Sequence, residues 1–251
     1  MNYIIITGAS KGVGECIAEQ LLEKNNHLFC ISRGNNDKLV KEAQKKGVEL
    51  EYFNLDLNKV DEIQELMESM VKKINKYSVE GIYLVNNAGV VNPIRKIDGL
   101  NSEEVSQNLN VNLIAPMMTT SAFIRCTKEF KVEKRIINIS SGAGKAPIYG
   151  WSAYCAAKAG LDLFSRCAAL EQEKEEFPVK TISFGPGIVD TNLQVEIRSA
   201  DKENFVDLEK FISYKEEGQL RKPEDVASVV VKLLFSDEFE NGKITNVGEY
   251  I

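Results

Sequence analysis

Short apolar runs rich in β-branched and aromatic residues recur along the whole chain and alternate with longer segments of helical spacing. The runs are YIIIT (3–7), HLFCIS (27–32), ELEYFNLDL (49–57), IYLVNN (82–87), RIINIS (135–140), VKTISF (179–184) and KITNV (243–247). Strands that alternate with helices predict a parallel sheet with helices on both faces, because parallel neighbours need a crossover connection. The alternation therefore predicts one α/β domain over residues 1–251, with a doubly wound sheet of about seven strands.

Three longer segments differ from this simple alternation. Residues 102–128 and 151–177 predict long helices, and the second is rich in alanine and leucine, which favour helix. Residues 190–222 are charged and only weakly periodic, and they end at the helix-start signal RKPEDVA. A long segment of that kind is either a lid over a site or a mobile surface excursion, and we interpret it as a substrate lid.

Charge and hydropathy exclude several classes of partner. The formal net charge of −6 opposes a non-specific electrostatic grip on nucleic acid or on anionic lipid. No apolar run approaches the ~20 residues needed to cross a bilayer, and the run at the start of the chain is too short for a signal peptide. We expect a cytoplasmic protein with no nucleic-acid or membrane partner.

The cysteines and the single histidine argue against a metal site. The five cysteines are scattered, odd in number and without a CxxC pair, which favours reduced thiols; they are Cys16, Cys30, Cys126, Cys155 and Cys167. His27 is the only histidine, so a multi-histidine metal site is excluded and histidine acid–base catalysis is not expected. We predict no metal.

The stretch TGASKGVG follows the first predicted strand directly. Glycine at a strand-to-helix turn lets the backbone approach a pyrophosphate, while the new helix offers unpaired N–H groups and the positive end of its dipole. The stretch predicts a Rossmann-type dinucleotide site at the first turn of the fold. We expect its contacts from Gly8, Ser10, Lys11, Gly12, Val13 and Gly14.

The end of the second strand indicates which nucleotide is preferred. Chains that bind NAD carry an acidic residue there for the ribose 2′-hydroxyl, whereas this chain reads Ser32-Arg33-Gly34. The Arg33 guanidinium suits a 2′-phosphate, and Lys11 could add a second positive charge. The pair predicts NADP(H) rather than NAD(H), although both residues could also be ordinary solvated cations.

Six motifs in order along the chain resemble the short-chain dehydrogenase/reductase family. They are TGASKGVG (7–14), NNAG (86–89), NVN (110–112), SS (140–141), YCAAK (154–158) and PGIVDT (186–191), and the likeness covers essentially the whole chain. Within the family, YGWSAYCAAKAGLD (149–162) and PGIVDTNLQ (186–194) are most similar to the sepiapterin reductase and bacterial benzil reductase branch.

The resemblance implies a catalytic group of Asn112, Ser141, Tyr154 and Lys158. A carbonyl reduced by hydride needs a proton, and Tyr154 is expected to be the acid. Lys158, one helical turn away, is expected to lower the pKa of Tyr154 by its charge. By the resemblance, Lys158 also binds the nicotinamide ribose, Ser141 holds the substrate oxygen and Asn112 supports a water-linked proton path.

The resemblance also implies further cofactor contacts. Asp56 and Leu57 are expected to flank the adenine, and Asn87 to support the adenine-side ribose and the central strand. Around the nicotinamide carboxamide the family pattern places Ile188, Val189 and Thr191.

The substrate pocket should draw on apolar and aromatic side chains, namely Ala143, Ile148, Tyr149, Trp151 and Leu193. Such a pocket favours a flat hydrophobic carbonyl compound, and we predict NADPH-dependent reduction of one carbonyl of an aromatic vicinal diketone. One alternative is a pterin reductase, for which Glu249 is the only carboxylate candidate in the tail. Another is a protein that senses NADP(H) without catalysis. The resemblance further implies a homodimer or homotetramer formed through 102–128 and 151–177.

Overall fold

The computed structural model describes residues 1–251, and its centre is one sheet of seven parallel strands. The strands are β1 (Asn2–Thr7), β2 (Asn26–Ser32), β3 (Glu49–Asn54), β4 (Gly81–Asn86), β5 (Glu133–Ile139), β6 (Val179–Gly185) and β7 (Ile244–Asn246). They lie in the order β3-β2-β1-β4-β5-β6-β7, so the direction of winding reverses between β1 and β4. The predicted doubly wound α/β fold, with one domain, is confirmed.

Nine α-helices and one π-helical turn cover the sheet. The helices are α1 (Gly12–Gln20), α2 (Asp37–Lys46), α3 (Ile63–Val71), α4 (Ser102–Leu109), α5 (Ala115–Cys126), α6 (Ser152–Gln172), α7 (Asn192–Arg198), α8 (Leu208–Glu216) and α9 (Pro223–Leu234). None of them is both long enough and apolar enough to cross a membrane.

The core lies in two layers, one on each face of the sheet. Side chains alternate along a strand, so Ile4 and Ile6 face one layer while Tyr3 and Ile5 face the other. Helices α1 and α9 close the first layer, and α3 and α5 close the second. Burial on both faces explains why the strand sequences are continuous apolar runs rather than alternating ones.

Two of the predicted helices differ from expectation. The segment 102–128 is helical nearly throughout, but a π-helical turn at Asn110–Ile114 separates α4 from α5. The segment 151–177 forms α6, which ends at Gln172 because the charged residues after it form a turn before β6.

The segment 190–222 is more ordered than its weak periodicity predicts, since it contains α7 and α8. Its inward side chains include Phe205 and Phe211, which are too irregularly spaced to form one helical stripe. The two ends of the segment are joined to each other: the Arg221 N–H donates to the Ile188 carbonyl and the Asp190 N–H to the Arg221 carbonyl, both at 2.9 Å. The segment therefore leaves and rejoins the fold at one place.

Candidate active site

A cavity of about 830 Å³ lies at the carboxyl edge of the sheet. Its walls come from the loops that follow β1 to β6 and from the segment 190–222. In open α/β sheets this edge, near the reversal of strand order, is where ligands bind. The cavity contains most of the residues that the sequence singled out.

The glycine turn after β1 forms one end of the cavity, lined by Gly8, Ser10, Lys11, Gly12 and Val13. Gly8 has a φ of +69°, and a Cβ there would stand 2.9 Å from the Ala88 Cα. Gly12 also has positive φ, at +61°. Both positions therefore require glycine, for conformation and, at Gly8, for space.

Gly14 and Asn87 hold the turn in place. Gly14 does not line the cavity; a Cβ on it would lie 2.4 Å from the Gly8 carbonyl oxygen, so this glycine permits close packing of α1 against the turn. Asn87 lies on the wall and donates through Nδ2 to the carbonyls of Thr7 and Gly8, at 3.0 and 3.3 Å. The expected cofactor contact of Gly14 is thus replaced by a packing role.

Arg33, Asp56 and Leu57 line the cavity beyond this turn, at the ends of β2 and β3. Arg33 and Lys11 are exposed, with their charged ends available to a ligand. The Asp56 Oδ1 accepts from the Asn58 backbone N–H at 3.0 Å, which is the turn-forming role that aspartate favours. The sequence analysis did not identify Asn36, which caps α2 through Leu39 N–H and donates to the Ser10 carbonyl at 3.2 Å.

Ile188, Val189 and Thr191 line the cavity after β6. The Thr191 methyl group would lie 3.4 Å from a Cβ on Gly12, so the two turns pack against each other across the cavity floor. The structure thus brings the β1 and β6 loops to the same ligand-sized space.

Tyr154 and Lys158 lie one turn apart on α6, and both face the cavity. Tyr154 is 7% exposed and Lys158 is 3% exposed. The Lys158 ammonium donates to the Ile139 carbonyl at 2.9 Å and stands 5.7 Å from the centroid of the Tyr154 ring. Ser141, at the end of β5, also lines the cavity, and its hydroxyl accepts from the Ala143 N–H at 3.2 Å.

The expectation that Lys158 lowers the pKa of Tyr154 is wrong for this structure. Burial raises the pKa of Tyr154 to about 12, and a hydrogen bond with Ser141 acts in the opposite direction. Burial likewise lowers the pKa of Lys158 to about 8, against the Asp162 carboxylate. Loss of hydration is the largest cause of both pKa shifts, because both side chains are enclosed. The phenol therefore stays protonated at neutral pH.

Asn112 lies outside the cavity, in the π-helical turn, and its side chain is fully engaged. Its Nδ2 donates to the Val90 carbonyl at 2.7 Å and to the Asn108 carbonyl at 3.1 Å. Its Oδ1 accepts from the Val90 N–H at 3.2 Å. A Cβ on Gly89 would lie 3.2 Å from this Oδ1 and 3.9 Å from the Lys158 Nζ. Asn112 thus fixes the loop after β4 beside Lys158.

The far end of the cavity is apolar and aromatic. Ala143, Ile148, Trp151 and Leu193 line it as expected, but Tyr149 is half-exposed and lies outside the wall. Gly150, with a φ of +79°, follows Tyr149 and turns the chain before Trp151. The prediction for Tyr149 was wrong, because the turn at Gly150 leaves its side chain half-exposed and away from the cavity wall.

The sequence analysis missed three residues of this wall, Phe205, Phe211 and Gln194. The Trp151 ring stacks on Phe205 at 5.3 Å between centroids and meets Phe211 at 5.4 Å, and Phe211 and Gln194 line the cavity themselves. The two phenylalanines lack a shared period, so no pattern marked them. Gln194 stood inside the quoted motif PGIVDTNLQ, but nothing in the sequence assigned it a role.

Comparisons with known proteins all relate the chain to one family. The model of the short chain dehydrogenase family matches residues 2–202. The chain is 45% identical to benzil reductase ((S)-benzoin forming) of Bacillus cereus, over 99% of this chain and 100% of that one. It is 27% identical to sepiapterin reductase of Bos taurus, over 95% and 91% of the two chains. The crystal structure of the KRED1-Pglu enzyme superposes with a TM-score of 0.83 at 28% identity, covering 97% of this chain and 100% of that one.

Proposed function

The chain belongs to the short-chain dehydrogenase family and is an oxidoreductase of carbonyl and alcohol groups, and from this premise we propose that it is an NADPH-dependent reductase of aromatic vicinal diketones. The reaction proposed is reduction of one carbonyl, of the benzil-to-benzoin type, with Tyr154 as the proton donor. The cavity belongs to the single domain, and the segment 190–222 is proposed to act as its lid.

One observation carries the choice of substrate: the Tyr154 phenol opens onto an apolar wall built around Trp151 and Phe211. The Trp151 and Tyr154 rings meet edge to face, 5.5 Å apart and at 84°. Such a wall suits the phenyl rings of a flat diketone, because burying apolar ligand surface against apolar side chains is favourable. The similarity to benzil reductase over the full chain supports the same substrate class.

The residues at the glycine end fit a nicotinamide dinucleotide. Gly8 and Gly12 line the glycine end of the cavity in a tight turn, and α1 begins at Gly12, so the unpaired N–H groups of its first turn are available to a phosphate. Arg33 and Lys11 supply positive charge at the adenosine end without a neighbouring acidic residue at the end of β2. The fit supports NADP(H) over NAD(H), since a 2′-phosphate would be bound by two cations.

The chain's own groups have distinct tasks in the proposed reaction. A bound nicotinamide cofactor supplies the hydride. Ser141 holds the substrate oxygen, and the Tyr154 phenol, kept protonated by its raised pKa, donates a proton to that oxygen. Lys158 orients the cofactor ribose from its anchored position on the Ile139 carbonyl.

The test follows NADPH oxidation with benzil and with sepiapterin as separate substrates. We expect turnover of benzil, with benzoin as the product. Tyr154→Phe should abolish turnover while NADPH binding, measured by fluorescence, is retained. The double change Lys11→Ala with Arg33→Ala should raise the KM for NADPH at least tenfold and leave that for NADH nearly unchanged. NADPH oxidation at wild-type rate in Tyr154→Phe would refute the assigned acid.

The pterin alternative has weaker support. Glu249 lies outside the cavity, and its Oε1 accepts from the Asn246 N–H and Nδ2 in a capping arrangement, at 3.2 and 2.9 Å. Its carboxylate is thus engaged elsewhere. Turnover of sepiapterin but not of benzil would reverse the order of the two candidates, and NADPH binding without turnover of either would favour the sensor.

A further inference from the structure

Gln194 is a buried polar residue on the substrate side of the cavity. It lies in the first turn of α7, where its backbone N–H donates to the Thr191 carbonyl at 3.0 Å. The side chain is 4% exposed and lines the cavity beside Leu193 and Ile197. Its position is therefore fixed by the root of the segment 190–222 and not by a free loop.

The Gln194 carboxamide is unsatisfied in the ligand-free protein. Its Oε1 is buried and has no hydrogen-bond partner. Buried polar atoms are nearly always paired, because an unpaired one loses its hydration without compensation. The carboxamide Nε2 also has no hydrogen-bond partner in the protein, and unlike Oε1 it is not among the fully buried unpaired atoms, so the NH2 group is the part of the amide that can donate to a ligand. Such a donor on a cavity wall suits an acceptor group of a ligand.

The surroundings narrow the kind of ligand group that can do so. Gln194 lines the cavity together with the apolar side chains of Trp151, Ile197 and Phe211, while the charged residues that the segment 190–222 adds to the cavity are Asp190, Asp207 and Lys210. Ser141 and Tyr154 are already assigned to the oxygen of the carbonyl that is reduced. A second oxygen on the same substrate would otherwise be buried against hydrocarbon, at a cost in binding free energy.

We propose that the Gln194 carboxamide binds the second oxygen of a vicinal dicarbonyl substrate, the carbonyl that is not reduced. This inference rests on the proposed function and names the feature that selects a 1,2-diketone over a ketone with one carbonyl. The amide donates an N–H to the spectator carbonyl. That carbonyl is unchanged in the hydroxyketone product, so the contact holds one end of the molecule throughout the reaction.

Two other donors on the cavity wall are buried without a partner, the Trp151 indole Nε1 and the Ser140 hydroxyl. Ser140 directly precedes Ser141, which is assigned to the oxygen of the carbonyl that is reduced. The Trp151 ring is stacked parallel to Phe205, with 3° between the planes, and is packed against Phe211, so the direction of its N–H is fixed by packing. Gln194 is therefore the donor tested first, with Trp151→Phe as the competing variant.

The test compares benzil with deoxybenzoin, which carries the same two phenyl rings but only one carbonyl. Gln194→Met keeps the length of the side chain and removes its hydrogen-bonding groups. We expect kcat/KM for benzil to fall roughly five- to tenfold, as loss of one hydrogen bond predicts, while that for deoxybenzoin stays within about twofold. Gln44→Met, on the exposed face of α2, is the matched control and should change neither value.

A second variant separates hydrogen bonding from packing. Gln194→Glu keeps the shape of the side chain but places a carboxylate beside the carbonyl oxygen. Benzil turnover relative to wild type should be low at pH 8 and recover as the pH falls toward about 6, because burial raises the carboxyl pKa and the protonated form regains a donor. The ratio for deoxybenzoin should vary little over the same range.

Ligand binding gives a readout that does not need turnover. Trp151 is the only tryptophan, so quenching of its emission by each compound reports binding to the NADP⁺ complex. We expect Gln194→Met to weaken benzil binding and spare deoxybenzoin. Equal losses of binding for both compounds in Gln194→Met would overturn the proposal, and so would a benzil-specific fall in kcat/KM in Trp151→Phe but not in Gln194→Met. If wild type turns over neither compound, the proposed function fails, and the binding comparison still decides the role of Gln194.

Discussion

At the scale of single residues, the buried Lys158 makes the stability of the protein depend on pH. Burial lowers the pKa of Lys158 to about 8, against the opposing effect of Asp162. An unfolded chain keeps a lysine protonated up to about pH 10.4, so between these values the unfolded state binds more protons than the native state. The unfolding free energy contributed by this residue should therefore rise with pH across the window, by about 3 kcal/mol in total.

Urea unfolding at pH 7.5 and 9.5 tests this prediction. The gain in unfolding free energy between the two values should be larger in wild type than in Lys158→Met, which has no charge to bury. Lys41→Met, on the exposed side of α2, is the control and should follow wild type. Tyr154 has a native pKa raised to about 12 and an ordinary pKa near 10, so it stays largely protonated in both states up to pH 9.5 and contributes little to the difference. Parallel behaviour of wild type and Lys158→Met would contradict the prediction.

A second prediction at the scale of single residues concerns Gly8. Gly8→Ala introduces a Cβ 2.9 Å from the Ala88 Cα at a φ of +69°, so both strain and overlap act against the native turn. We expect a loss of about 2–4 kcal/mol in unfolding free energy and at least tenfold weaker NADPH binding, measured by calorimetry.

Gly99→Ala is the matched control for Gly8→Ala. Nothing lies within 4 Å of a Cβ at Gly99, and its φ is not positive. It should leave both stability and cofactor binding close to wild type. Equal behaviour of the two variants would show that the turn can move aside.

At the scale of elements, the π-helical turn between α4 and α5 places Asn112 against the loop after β4. Asn112→Ala removes the bonds to Val90 N–H and Val90 carbonyl and leaves these partly buried groups without a partner. We expect destabilisation of about 2–4 kcal/mol by urea unfolding. Hydrogen exchange should increase at Val90 before it increases in the sheet.

Asn101, the N-cap residue of α4, is the control for this change. It caps α4 at an exposed position through the Glu104 N–H, so Asn101→Ala should cost only about 1 kcal/mol and leave exchange at Val90 unchanged. A loss of activity in Asn112→Ala without faster exchange at Val90 would assign Asn112 a direct part in proton transfer and would remove its positioning role.

Some of these helices and strands were predictable from the sequence, and others were not. Short runs rich in β-branched and aromatic residues predicted all seven strands, both the buried central ones and the partly exposed edge strands β3 and β7. The π-helical turn was not predictable, since one extra residue per turn leaves the composition of 102–128 helical throughout. Phe205 and Phe211 meet Trp151 only after two helices have folded, so no local spacing marks their contact.

The residues of the site likewise divide into those that were predictable from the sequence and those that were not. Residues whose role depends on backbone position, such as Gly8 and Gly12, were predictable because few residue types can occupy those positions. The pKa of Tyr154 was predicted in the wrong direction, since sequence spacing gives the distance between charges but not the loss of hydration around them. Gln194 could not be assigned because its unpaired oxygen exists only in the folded wall.

At the scale of the whole molecule, the outer face of α6 is apolar. Leu163 and Leu170 lie seven residues apart on one side of the helix and are 59% and 65% exposed. We propose that this face joins copies of the chain into a homodimer or homotetramer. Light scattering should give two or four times the chain mass of 28.0 kDa.

Changes on this face should lower that mass. Leu163→Lys combined with Leu170→Lys places like charges on both sides of the proposed interface, and we expect dissociation toward the monomer. Ile97→Lys changes an equally exposed apolar residue in a loop and should leave the mass unchanged. A wild-type mass of 28.0 kDa would rule out the assembly.

The joined ends of the segment 190–222 have a consequence for how such enzymes diversify. Because Ile188 and Arg221 are hydrogen-bonded neighbours, the intervening chain is an insert whose two attachment points stay fixed whatever lies between them. Tyr154 and Lys158 lie on α6 and Ser141 follows β5, so these proposed reacting groups lie outside the insert, whereas Val189 and Thr191 of the proposed nicotinamide contacts lie inside it. Changes between the two attachment points can therefore alter which molecules the cavity accepts without displacing the proposed proton donor.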